Sequence, residues 1–231
     1  MPTSTIEDYV KQVFLIQQKQ PGLPVPMGRL SEAMGITPGT TTTMVKSMAD
    51  HGLIEYIPRV GVRLTRDGEN LALGVLRRHR IAEAFLVRIL GMDWAEVHED
   101  AERLEHAISP RVLERMDALL NRPTHDPHGD PIPATDGDFR EAHHASLAET
   151  AEGQTVVVSR IMDQSQSFLT FIGKAGLSPG VVITVLDYNH DAESMLVRAG
   201  DGPVLALSFR VAAKVAVAPH APPARRGKPG A

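Results

Sequence analysis

The sequence predicts a mainly α-helical chain that ends in a small β module. Up to about residue 120, apolar side chains recur at three- and four-residue steps, broken by one short alternating stretch near residue 55. From residue 154, short β-branched runs separated by Gly, Pro, Asn and Asp take over. Over 231 residues, 42% apolar and 23% charged content is the balance of a globular chain with ordinary cores. No apolar run is long enough to span a bilayer and no basic-then-apolar leader opens the chain, so a cytoplasmic, non-membrane protein is expected. There is no cysteine, which excludes disulfides, iron–sulfur clusters, thiolate catalysis and cysteine-based zinc fingers. Any metal must be held by His, carboxylates, carbonyls or water.

Ser4-Thr5-Ile6-Glu7 reads as a capping box, with Ser4 and Glu7 each satisfying an orphan amide. Ile6, Tyr9, Val10, Val13, Phe14 and Ile16 continue at helical spacing to about Gln20, where Pro21-Gly22 stops the helix. Met27 to Met34 forms a short helix closed by Gly35. Thr37-Pro38 opens another that ends before Gly52, with Pro38 near the start, where its missing N–H costs little. Leu53 to Ile57 alternates like a strand, Pro58 to Gly61 turns, and Val62 to Leu64 returns. Two tandem helices followed by a hairpin describe a winged helix-turn-helix, with a recognition helix from Pro38 to His51 and a wing from Arg59 to Arg63.

A long helix is expected from Thr65 to Leu90, stopped by Gly91. A further one is capped by Asp93, with Trp94, Val97, Ala101, Leu104 and Ile108 as its apolar stripe. Ser109-Pro110 starts another, reaching about Leu120. This all-helical block offers apolar stripes for a dimer face. Four prolines and two glycines from Arg122 to Gly137 mark an extended linker, followed by a polar, weakly helical continuation. Strands are expected at Thr155–Ile161, Val181–Leu186, Ser194–Val197, Val204–Phe209 and Lys214–Val217, making a barrel-like all-β module. The boundaries are therefore 1–65, 66–137, a linker at 138–153, 154–218, and a mobile tail at 219–231.

The net charge of −4 conceals two regimes. Residues 27–80 carry eight Lys/Arg against five Asp/Glu, and residues 81–150 carry six against fifteen. Seven of the ten histidines lie between positions 79 and 144. The first region suits an anionic partner and the second a cation.

On a helix, His98, Glu102, Glu105 and His106 share a narrow arc, and His79 and Glu83 sit i, i+4 on the preceding helix. If the two helices pack antiparallel, these groups converge. Carboxylates with imidazoles suit a hard or borderline divalent ion such as Mn²⁺ or Fe²⁺. The competing reading is a solvated network of helical salt bridges to Arg103 or Arg80. Thr37, Thr40, Thr41, Thr42, Thr43 and Lys46 give the recognition helix hydroxyls for phosphates and methyls for thymine, with Arg59 and Arg63 reaching phosphates from the wing. Such a threonine run also occurs as plain solvated surface. The pairs His125/His128 and His143/His144 read as solvated loop residues in preference to stray metal binders, and Trp94 and Phe85 as core in preference to binding groups.

The segments His79–Glu83 (HRIAE), His98 and Glu102-x-x-Glu105-His106 together resemble the metal-sensing core of the diphtheria toxin repressor family. The resemblance extends to the winged helix, the phrase Gly129-Asp-Pro-Ile-Pro133 and a C-terminal SH3-like module, so it covers nearly the whole chain. It implies a metal-activated homodimer that binds a palindromic operator in double-stranded DNA and controls metal uptake and homeostasis genes. It also implies an activating site of Asp8, Glu102, Glu105 and His106. Iron sensors of the family place methionine and cysteine where Asp8 and Glu102 stand, so the oxygen donors resemble the manganese-sensing branch, with Fe²⁺ possible and other divalent ions able to bind in vitro. That branch often carries a glutamate where this chain has Lys11, which weighs against a binuclear arrangement built on that carboxylate. His79, Glu83 and His98 match an ancillary site to which the SH3-like module adds ligands. Asp163 and Gln166 fit that role, with Gln164 or Ser165 as replacements.

In the apo state, the two carboxylates and Asp8 are expected to repel one another. Three rival functions separate by experiment: an iron-dependent regulator of the same family, a winged-helix regulator of a small organic ligand, and a metal-dependent hydrolase with Glu102 or Glu105 as base. The last lacks any evident oxyanion or phosphate cradle, so no enzyme is expected.

Overall fold

In the computed structural model, which describes residues 3–135, 137, 139 and 145–220, the chain forms two units. The first comprises residues 1–92, 97–126 and 131–140, and the second residues 93–96, 127–130 and 141–231. The pairs that include His143 and His144, and most of the tail, lie outside the described residues. Among those described, no helix is long and apolar enough to cross a membrane.

The first unit opens with α1 (Ser4–Lys19). Its cap is Thr3, whose hydroxyl accepts from the Ile6 amide at 3.4 Å, one residue ahead of the expected box. That shift frees Glu7 for a different task. The helices α2 (Met27–Met34) and α3 (Pro38–Asp50) follow the turn chemistry: Gly35 closes α2 at φ 65°, Thr37 caps α3, and Pro38 takes its first turn. β1 (Ile54–Ile57) and β2 (Gly61–Leu64) pair antiparallel as the wing. α4 (Arg66–Arg88), capped by Thr65, runs out of the wing, and its Ala72, Leu73 and Leu76 join Tyr9, Val13, Val45, Met48 and Val62 in one core. Farther along α4, Ala82 and Leu86 pack with Val97 and Ala101, while Ile81 and Ala84 pack with Leu120. One helix is thus shared by the reading head and the acidic region.

Two glycines allow this packing. Gly61 has φ 152°, and a Cβ there would lie 2.2 Å from the Val25 carbonyl oxygen, where Val25 bridges to Val62. At Gly68 a Cβ would lie 1.9 Å from the Leu53 carbonyl oxygen, so α4 could not begin so close to the wing.

The helix expected from Asp93 is shorter. Asp93 accepts the Ala95 amide at 2.8 Å in a local turn, and α5 spans only His98–Leu104. Trp94 and Ala95 pack in the core of the second unit, so the expected stripe divides between two cores. Ser109 caps α6 (Pro110–Leu119) as its sequence predicts. The expected linker is partly internal: Asp126, His128 and Asp130 are buried, and Thr124 accepts the Ile132 amide. His128 is not solvated; it stacks on Trp94 and its Nε2 lies 2.8 Å from the Trp94 carbonyl.

The second unit holds a six-stranded antiparallel sheet. Its strands are β3 (Ala145–Ser146), β4 (Thr155–Ile161), β5 (Val182–Asn189), β6 (Ser194–Ala199), β7 (Val204–Ser208) and β8 (Val215–Pro219), in the order β3-β8-β4-β5-β6-β7. Residues 145–149, expected to be weakly helical linker, instead supply β3 and a single 3₁₀ turn whose Leu147 is fully buried. The module is not all-β: α7 (Gln166–Lys174) inserts Phe168, Leu169 and Ile172 into the core, and α8 (Phe209–Ala212) follows β7. Aromatic and β-branched residues in α7 give it the composition of a strand.

Gly61→Ala should lower first-unit stability by about 1–3 kcal/mol, because it combines a strained backbone with a clash against main chain. Gly28→Ala, in open helical space, should leave stability unchanged or raise it slightly. Urea denaturation of the two variants checks the contrast, and equal midpoints would contradict it.

Candidate metal centre

Three stretches of the first unit meet at a buried acidic cluster. α1 contributes Glu7, Asp8 and Lys11, spaced so that all three project from adjoining turns. α4 contributes Arg78, and one helical turn apart it presents His79 and Glu83. α5 and the turn after it contribute His98, Glu102, Glu105 and His106. Glu105 is fully buried, Lys11 is 2% exposed, and Glu83 and His79 are buried beside them. Carboxylates at such depth require cations or hydrogen-bond donors around them.

Those partners are present on both sides of the cluster. The Lys11 ammonium donates to Glu102 Oε1 at 2.8 Å and Glu105 Oε1 at 2.6 Å. His79 sets Nδ1 2.6 Å from Glu105 Oε2 and Nε2 3.1 Å from Glu83 Oε1. His98 lies between Glu83 and Glu102, 3.3 Å from the first and 3.6 Å from the second. On the other side, His106 Nε2 sits 2.9 Å from Asp8 Oδ1 and its Nδ1 sits 2.7 Å from Glu7 Oε2. Arg78 fastens this corner, donating to Glu7 Oε1 at 2.7 Å and to the Glu105 carbonyl at 2.6 Å. The carboxylates therefore do not face one another bare, as expected for the apo state; Lys11 and the histidines lie between them.

The ionisation of the cluster reflects this asymmetry. Burial raises the Asp8 carboxyl above its ordinary range, and the attraction of His106 and Lys11 does not cancel that rise. Burial also pushes Glu102 upward, but the charge and hydrogen bond of Lys11, with His79 and His98, outweigh it and hold Glu102 below its ordinary value. For His79, burial favours the neutral ring; Glu83 and the bond to Glu105 prevail and carry it up to about 10. His79 is thus an imidazolium with both ring nitrogens donating.

Three donor sets have ligand atoms mutually within 4.8 Å in this unit: Asp8, Glu105 and His106; His79, Glu102 and Glu105; and His79, Glu83 and His98. Oxygen and imidazole donors without sulfur fit a hard or borderline divalent ion. Glu102 groups with His79 and Glu105, and the set that contains Asp8 is completed by Glu105 and His106. Glu7 and Arg78 escaped the sequence reading. Glu7 lies one turn before Lys11 and next to Asp8, and that run of charge along a partly apolar helix is the available signal.

The remaining expected site residues are dispersed. In the second unit, Asp163 accepts from Lys214 Nζ at 2.6 Å and from the Ser165 amide. Gln166, the first residue of α7, donates to Glu96 Oε1 at 3.3 Å, and Gln164 donates to Asp130 Oδ2 at 2.7 Å. On α3, Thr37, Thr40, Thr43 and Lys46 are exposed, Thr42 is half-buried and Thr41 is buried. The hydroxyls of Thr41, Thr42 and Thr43 donate back to the carbonyls of Thr37, Pro38 and Gly39. This bonding ties up their hydroxyl donors; of the three, only Thr43 is exposed and Thr42 half-buried, keeping acceptor capacity at the surface. Arg59 is exposed in the wing turn at φ 65°, and Arg63 donates to the Gly22 carbonyl at 2.8 Å.

Comparison with known proteins matches the chain to a family. Residues 1–62 match the model described as iron dependent repressor, N-terminal DNA binding domain. Residues 65–134 match the iron dependent repressor metal binding and dimerisation domain, and residues 145–219 match the FeoA domain, an SH3-like fold. The iron-dependent repressor IdeR of Mycobacterium tuberculosis is 31% identical over 78% of this chain and 83% of that protein. The diphtheria toxin repressor of Corynebacterium glutamicum is 32% identical over 79% of this chain and 84% of its own length. Among solved structures, a manganese-dependent transcriptional repressor in complex with manganese has a TM-score of 0.81 at 34% identity, covering 93% of this chain and 100% of that one. The manganese regulator SloR has a TM-score of 0.70 at 27% identity, over 93% and 98%.

Because the native state holds the His79 proton to about 10 while an unfolded chain releases it near 6.5, its stabilising contribution is complete below the lower value and is lost as pH rises through the upper. In chelator-treated protein, the stability advantage of wild type over His79→Gln should shrink steadily between about pH 6 and about pH 10. Denaturant midpoints across that range test it; a gap that widens with pH would contradict it.

Proposed function

The chain belongs to the family of metal-dependent transcriptional repressors that includes the diphtheria toxin repressor, and on that premise we propose that it is a manganese-responsive regulator that grips a palindromic operator as a homodimer. The family comprises DNA-binding, dimerising repressors and not enzymes. The observation that carries the proposal is the position of Asp8. It sits on α1, which packs into the core of the reading head, yet its carboxylate shares a donor set with Glu105 and His106 from the acidic region.

Asp8, Glu105 and His106 are the proposed ligands of the activating ion, with Glu102 beside them on Lys11, and His79, Glu83 and His98 are the second set. Asp8, Glu105 and His106 would hold a bound Mn²⁺, which would add positive charge where burial raises the Asp8 carboxyl. Asp8 and Glu105, now answering to the same charge, fix α1 against the turn after α5. The spacing of two recognition helices across a dimer depends on that angle, and so does their fit to successive major grooves. On α3, Thr37, Thr40, Thr42, Thr43 and Lys46 form the proposed reading surface, with Arg59 and Arg63 at the wing. An apolar groove between α4 and α6, lined by Phe85, Val112, Met116 and Leu119, supports pairing with a second copy.

Oxygen-rich donors favour Mn²⁺ by hardness, and they accept Fe²⁺ as well, the ion in the names of several relatives. The regulated genes follow from the effector: a repressor engaged when the ion is abundant closes its uptake, acting in the cytoplasm where the DNA lies.

An operator selected from random duplexes with Mn²⁺ present should be palindromic, and chelation should weaken its binding by about 5- to 150-fold. Glu105→Ala should remove that metal dependence, while Lys46→Ala should keep it and lower the salt slope of binding by about one. Equal operator affinity with Mn²⁺, with Fe²⁺ and with chelator would overturn the metal reading in favour of an organic effector.

A further inference from the structure

The three donor sets are not independent. The middle one, His79, Glu102 and Glu105, shares Glu105 with the Asp8 set and His79 with the Glu83 set. The two outer sets share no residue. An ion in the middle position would therefore be bridged by the Glu105 carboxylate to any ion beside Asp8.

That middle position already holds a cation. The Lys11 ammonium lies 2.8 Å from Glu102 and 2.6 Å from Glu105, and the side chain around it is 3% exposed. Lys11 is itself buried on α1, as are Tyr9, Val10 and Val13, so its charge is held at depth and not at the surface.

We propose that Lys11 is a resident substitute for a metal ion, which limits the cluster to two separate cations flanking a fixed ammonium and prevents a carboxylate-bridged pair. This inference rests on the metal reading above and extends it to the number and coupling of the ions.

The geometry is consistent with this: the Lys11 ammonium touches Glu102 and Glu105, and Asp8 is instead 2.9 Å from His106. A fixed ammonium also has a functional consequence. It holds Glu105 in place before any ion arrives, so the Asp8 set meets its ion with one donor already positioned.

The test counts ions in the full chain. Wild type titrated with Mn²⁺ should bind at most two ions per protomer, with an electron paramagnetic resonance spectrum of isolated ions only. Lys11→Glu should bind one more and show the hyperfine pattern of an exchange-coupled pair. Lys11→Met, which removes the charge and keeps the bulk, should also gain an ion, so the count stands if the extra carboxylate prevents folding. A coupled pair in wild type overturns the proposal at once. Two isolated ions in wild type with no gain in a variant of native circular dichroism overturns it while leaving the metal reading intact. Wild type that binds no Mn²⁺ overturns both.

Discussion

Five carboxylates from three segments lie within one small region of the first unit, and the fold there depends on satisfying their charge. Lys11, His79, His98, His106 and Arg78 do so by direct contact. Removing water from such groups costs several kcal/mol per ion unless geometry restores the loss, so each partner is structural before it is anything else. The satisfaction is uneven. Around Glu102 and Glu105 a buried ammonium and an imidazolium face the oxygens closely. Around Asp8 burial outweighs the attraction of His106 and Lys11, and the carboxyl is raised above its ordinary range. A divalent cation entering on that side would meet a carboxylate whose direct partner is His106.

That side lies at a mechanical junction. α4 packs its first half into the winged-helix core and its second half against α5 and α6. α1 packs on the same winged-helix core and reaches the turn after α5 through polar side chains: Glu7 and Asp8 to His106, and Lys11 to Glu102 and Glu105. Apolar packing fixes most of the unit in place, and these polar contacts set the remaining relation between α1 and the acidic segment. A regulator gains from that division, because charge at one point can change a relation that the core leaves adjustable.

Much of this was legible from spacing. Gly35, Thr37-Pro38, Gly52 and Thr65 punctuate the reading head, and the helices start and stop where turn chemistry requires. His79 with Glu83, and His98 with Glu102 and the Glu105-His106 pair, have the intervals that put donors on facing turns. What escaped has physical reasons. The partner of a buried charge is chosen by tertiary packing, so Lys11 read as a departure from a pattern and not as the counter-ion of two glutamates. Glu7 looked like a cap because an acid in a first turn usually serves the amides, until Thr3 took that place. Asp126, His128 and Asp130 sit in a Pro-rich stretch that signals exposure. They are nonetheless buried, because Trp94 and Gln164 are placed to bond His128 and Asp130. α7 was hidden by strand-like composition, and the threonines of α3 advertise hydroxyl donors that the helix already uses.

The most direct test is a crystal structure grown with Mn²⁺, with anomalous differences collected at the manganese edge. The account predicts a peak bounded by Asp8, Glu105 and His106, with the Lys11 side chain still ordered between Glu102 and Glu105. A map with its peak in the place of the Lys11 ammonium, or with none near Asp8, would contradict it.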